Sequence, residues 1–108
     1  MKVEYNGSVT QCHKKLNEIL KNCGFQPRNN TEFDNYRVDV TCDDLPGYGF
    51  EADGKGWHLF RRRDQERDAY IFSKFGVKIL RISENLLDGR RDEEVKDLIV
   101  RFIDVNNT

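Results

Sequence analysis

Three carboxylates sit in two short segments with the alternation of β-strands. Asp39 lies in Tyr36-Arg37-Val38-Asp39-Val40, and Glu51 and Asp53 lie in Gly49-Phe50-Glu51-Ala52-Asp53. Successive strand residues point to opposite faces. Arg37, Asp39 and Thr41 are therefore expected on one face of the first strand. Glu51 and Asp53 are expected on one face of the second, with Phe50 and Ala52 opposite. Carboxylates held close raise one another's pKa unless a cation neutralises them. Hard divalent cations such as Mg²⁺ take oxygen ligands of this kind. The second segment runs through Gly54, Lys55 and Gly56 into Trp57 and His58. An imidazole beside clustered carboxylates can move a proton near neutral pH, so the pattern points to metal-assisted hydrolysis.

The elements that must hold these residues can be read from periodicity. Val9, Cys12, Leu16, Leu20 and Cys23 recur at helical spacing, and Gly24 closes the run. Residues 28–30 read as loop, 36–41 as a strand, 45–47 as a turn and 48–53 as a second strand. A helix is expected from about Arg62 to Phe75, stopping at Gly76. Val77 to Ile82 follows as an apolar strand interrupted by Lys78 and Arg81. Val95, Leu98, Ile99 and Phe102 mark a last helix whose acidic start at Asp92 to Glu94 suits the positive end of its dipole. The expected order is αββαβα, with an extra strand near 2–5 or 31–33. The economical fold is a mixed α/β sheet flanked by helices, in a single domain over 1–108.

The helix after His58 departs from ordinary patterning. At about 100° per residue, Asp64 and Asp68 fall on the same stripe as Ile71, Phe72 and Phe75, with Arg61 and Gln65 beside it. Acids on an inward stripe face a cation, a metal or a polar cleft. A structural pair with an arginine is the plainer reading, and a place in the cleft with His58 is the functional one.

Composition narrows the classes. The chain has 108 residues, 34% of them charged, with a net charge of −1. Near-neutral charge argues against a domain that holds nucleic acid by bulk charge alone. No apolar run is long enough to span a membrane and no signal-peptide pattern opens the chain, so an intracellular, cytoplasmic protein is expected. Cys12, Cys23 and Cys42 cannot all pair within one chain and form no CxxC knuckle, so reduced thiols are expected. Arg61, Arg62, Arg63, Lys14, Lys15 and Lys55 are candidate phosphate contacts, of which one or two could serve a single groove. Trp57, in a glycine-flanked loop, suits base stacking at a surface.

Together these residues resemble the very-short-patch-repair branch of the PD-(D/E)xK nucleases and the related EDxHD homing endonucleases. The resemblance rests on Glu51-Ala52-Asp53-Gly54, then Trp57-His58, then Arg67-Asp68, then Gly76-Val77-Lys78-Ile79-Leu80-Arg81, in that order from about Thr10 to Leu87. It implies a restriction-endonuclease-like fold and a metal-dependent DNA endonuclease, acting on double-stranded DNA with Mg²⁺ or Mn²⁺. By the same resemblance Asp39 is the central metal ligand, the Ala52 carbonyl a second, and Glu51 or Asp53 a third. His58 activates water, Asp68 is the following-helix acid, and Trp57 falls where a DNA-wedging aromatic stands.

Two departures matter. Asp53 occupies the usual nuclease lysine position, with Lys55 nearby in the loop. The first helix carries His13, three residues before Leu16, where relatives carry a glutamate, and Glu18 projects away from the apolar stripe and is no substitute. The near-neutral charge suits a catalytic module that works with a separate recognition domain or as a homodimer. A catalytically degenerate nucleic-acid-binding module of the same fold is the alternative. A protein-interaction domain whose carboxylates only bind arginines is a third reading.

Overall fold

The computed structural model describes residues 10–53, 61–89 and 91–107. A four-stranded sheet in the order β1-β2-β3-β4 forms the middle layer, from β1 (Pro27–Phe33), β2 (Tyr36–Cys42), β3 (Tyr48–Asp53) and β4 (Lys78–Ser83). The first two pairings are antiparallel and β3–β4 is parallel. The parallel step requires a crossover, supplied by α2 (Arg61–Phe75). The mixed sheet flanked by helices agrees with the expected fold class.

One face of the sheet carries α1 (Gln11–Asn22), α3 (Glu84–Asp88) and α4 (Asp92–Asn106), and the other carries α2. Leu16, Ile19 and Leu20 of α1 pack with Val40, Phe50, Ile82, Val95 and Ile99 in the larger core. Phe33, Val38, Ile71 and Val77 form a smaller core under α2. Thr10 caps α1 by accepting from the His13 backbone N–H at 3.2 Å. Gly76 ends α2 at φ +70°, a left-handed conformation that a Cβ disfavours.

Three expectations are corrected. Residues 28–30, read as loop, belong to β1: their side chains are polar, but their backbone pairs along β2 from Pro27↔Cys42 to Phe33↔Tyr36. The short helix α3 was not anticipated, since five residues are too few to show a period. Phe72 and Phe75, placed on the inward stripe of α2, are exposed at 51% and 40%, while Ile71 is fully buried. Ile71 enters the smaller core, and Phe75 packs edge-on against Phe33 at its margin.

Candidate active site

The strand alternation breaks at Asp39. Val38 and Val40 would share a face of a regular strand, yet Val40 packs in the larger core and Val38 in the smaller. Arg37, Asp39 and Thr41 therefore do not form the single face expected: Arg37 is exposed and Thr41 is buried. The residue across the ladder from this switch, Asn30, has φ +50°. Both strands thus change face at one level, and the buried hydroxyls of Thr31 and Thr41 meet at 2.7 Å.

Beyond the switch, β2 and β3 part. Their pairing comprises Val40↔Phe50 and Thr41↔Gly49 and does not extend to Asp39 and Glu51. Side chains replace the ladder there. The Asp39 N–H donates to Glu51 Oε2 at 2.7 Å, and the Ala52 N–H donates to Asp39 Oδ2 at 2.9 Å. Partly buried backbone donors are thereby satisfied by two of the carboxylates that the sequence singled out.

His13 reaches the same point from α1. Its Nε2 lies 3.2 Å from Asp39 Oδ2, and this pairing holds the imidazole above its ordinary pKa despite burial. The sequence put His13 at the edge of the apolar stripe. The structure buries it to 8% exposure and links it to the central carboxylate. Its Nδ1 is buried with no hydrogen-bond partner among the described residues. Glu18 faces solvent, as expected.

On the α2 side, two guanidiniums stand among the acids. Arg67 Nη2 lies 3.1 Å from Glu51 Oε1 and 3.2 Å from Asp68 Oδ1. Arg81 is the cross-strand neighbour of Glu51 in the parallel pair. Its Nε and Nη2 grip the two oxygens of Asp68 at 3.2 and 3.0 Å. Its Nη1 lies 3.4 Å from Asp53, 3.8 Å from Glu51 and 3.8 Å from Asp64. Asp64 and Asp68 therefore face cations from the inward side of α2, which explains acids on that stripe. Burial, and then the charge of Asp39, pushes the Glu51 carboxyl above its ordinary range, against the pull of Arg67. Nearby opposite charges, mainly Glu51, raise the Arg67 guanidinium although burial acts the other way.

The structure thus brings Asp39, Ala52, Glu51, Asp53, Asp64, Asp68 and His13 to one region. Arg67 and Arg81 belong to it as well. Sequence reasoning quoted both without giving either a role. The signal was present in Arg81, a charge interrupting an otherwise apolar strand. Gln65 and Arg62 are exposed on α2, and Arg63 is exposed beside them. Lys15 pairs with Asp92 at 3.0 Å rather than standing ready for phosphate. Lys55, Trp57, His58 and the side chain of Arg61 lie outside the described residues.

Five carboxylates against two guanidiniums and a histidine form a donor set of the chemistry that a hard divalent cation uses. Among the described residues, no three of the side chains converge as a ready-made metal cage. The donor chemistry fits, and the guanidiniums of Arg67 and Arg81 stand among the acids.

No protein-family model and no curated protein matches the chain. Among solved structures the chain is similar to the homing endonuclease I-Bth0305I catalytic domain, at 19% identity and a TM-score of 0.72, covering 92% of this chain and 99% of that one. The two share a fold. Among the described residues, no helix is long and apolar enough to cross a membrane.

Proposed function

We propose that the chain is a metal-dependent DNA endonuclease domain that hydrolyses phosphodiester bonds in double-stranded DNA. The observation that carries this reading is the parting of β2 and β3 at Asp39. It brings Asp39 and Glu51 together, with Asp53 joined to Glu51 through Arg81, in a fold similar to a homing endonuclease catalytic domain. Asp39, the Ala52 carbonyl, and Glu51 or Asp53 would hold Mg²⁺, with Mn²⁺ as a substitute. When bound, the cation supplies charge stabilisation to a phosphoryl oxygen and acidity to a water.

The chain's own residues do the rest. The Ala52 N–H and His13 fix the orientation of the Asp39 carboxylate from two sides. His58, following the carboxylate strand closely in sequence, takes the proton of the attacking water. Asp68 anchors Arg67 and Arg81, and orienting His58 would draw on the same two oxygens. Arg62 on the exposed side of α2, with Lys55 and Arg61, supplies phosphate contacts, and Trp57 stacks on or wedges beside a base. A separate recognition domain or a second copy would supply affinity that a net charge of −1 does not, and the setting is intracellular.

The test is nicking of supercoiled plasmid with Mg²⁺ and with chelator. Wild type should nick only with the cation. Asp39→Asn should lose at least about 10²-fold in rate while keeping its fold, the scale expected when catalytic charge stabilisation is lost. Wild-type rates in folded Asp39→Asn would remove the assigned site. The guanidiniums among the acids, and Asp53 at the lysine position, favour one second reading: a DNA-binding module of this fold without chemistry. DNA binding without nicking would support it.

A further inference from the structure

Arg81 is placed unlike an ordinary salt-bridge partner. One guanidinium faces four carboxylates, with Nε and Nη2 on Asp68 and Nη1 among Asp53, Glu51 and Asp64. The anchor of this fork is on α2, while its free end lies between β3 and Asp64 of α2. Asp68 is on α2, whereas Glu51 and Asp53 are on β3 beside Arg81 in register. A planar guanidinium gripped bidentately along one edge has its remaining Nη1 aimed in a fixed direction. That direction is the carboxylate pair proposed to hold the cation.

We propose that Arg81 is a built-in counter-cation which occupies the carboxylate site through Nη1 and competes there with the divalent ion. The inference rests on the reading that Asp39, Glu51 and Asp53 bind a cation. On cation entry Nη1 leaves Glu51 and Asp53, while Nε and Nη2 keep their hold on Asp68. The arginine is thus a positioning residue: it keeps the acids apart from one another's charge without metal and yields them to metal. Lys78, on the same strand, donates to the Asn106 carbonyl at 3.3 Å and meets none of these acids. It provides a control of equal charge.

The experiment is Mn²⁺ titration of the full chain, followed by electron paramagnetic resonance, for wild type, Arg81→Gln, Lys78→Gln and Asp39→Asn. Arg81→Gln should bind Mn²⁺ about tenfold or more tightly than wild type, because a unit charge near 4 Å in partly solvated protein exceeds the free energy of one decade. Lys78→Gln should match wild type, and Asp39→Asn should bind weakly. Equal or weaker binding by folded Arg81→Gln, with wild-type binding dependent on Asp39, would overturn the competition and leave the cation site standing. Tighter binding by Lys78→Gln to the same extent would reduce the effect to overall charge and overturn it too. No binding by wild type or Arg81→Gln would overturn the cation reading and this inference together. If Arg81→Gln does not fold, ¹⁵N resonances of the wild-type Arg81 Nη groups decide the matter. They should move on saturation with Mg²⁺, and unchanged resonances would overturn the proposal.

Discussion

Glu51 combines burial to 8% exposure with a carboxylate neighbour, and the combination has a pH signature. Its folded-state pKa is raised above the ordinary 4.5, so near and above that value the folded chain retains a proton that the unfolded chain has released. Stability from this group therefore falls as pH rises through the window between the two values. Glu51→Gln removes the ionisation and keeps an acceptor for the Asp39 N–H. Its Tm should match or lie below wild type near pH 4 and rise relative to wild type toward about pH 7, while nicking is lost. Thermal unfolding of both proteins across that range checks this. A wild type that gains on the variant with rising pH would mean that Arg67 more than offsets burial. A carboxylate held at such a cost fits a functional position better than a scaffold one.

At the scale of elements, Gly49 shows how tightly β3 is fitted under α2. A Cβ built there would meet Val38 Cγ1 at 3.0 Å, with Ile79 and Val77 at 3.5 Å. Gly49→Ala should cost about 1–3 kcal/mol by overpacking, read from a shift in the urea midpoint, and should blunt the site one turn of the pleat away. Indifference to this substitution would mean that the smaller core yields easily. The elements flanking the site were legible in the sequence for plain reasons. The segments of β2 and β3 are rich in strand-forming residues between turn signals, α1 has a strong apolar stripe ending at Gly24, and α2 stops at Gly76. Residues 31–33 of β1 are readable as an extra strand, but its first half was hidden because Arg28, Asn29 and Asn30 carry no strand signature. The change of face at Asp39, opposite Asn30 at φ +50°, was illegible because period-two reasoning assumes a regular strand. The carboxylates were found by type and spacing. An arginine partner for Asp64 and Asp68 was foreseeable in kind, but not which arginines, because Arg81 meets these acids and Glu51 only through the crossover.

At the scale of the whole molecule, the site lies where two layers reach through the sheet. His13 approaches Asp39 from the α1 layer, and Arg67 approaches Glu51 from the α2 layer. Arg81 and Asp53, bonded at 3.4 Å, lie 28 residues apart, with the whole of α2 between them. The parallel β3–β4 pair also has an effect in time. The two strands cannot meet until the crossover has closed, and Arg67 and Arg81 cannot reach Glu51 and Asp53 on β3 before that. Contacts made after the rate-limiting closure alter unfolding and leave folding alone. Arg67→Met should therefore steepen spontaneous unfolding while the refolding arm of its chevron stays in place. A slower refolding arm with unchanged unfolding would put these charges in the folding nucleus instead. The arginine–carboxylate lattice would then act mainly on the lifetime of the native state, holding shut a structure that apolar collapse had already chosen.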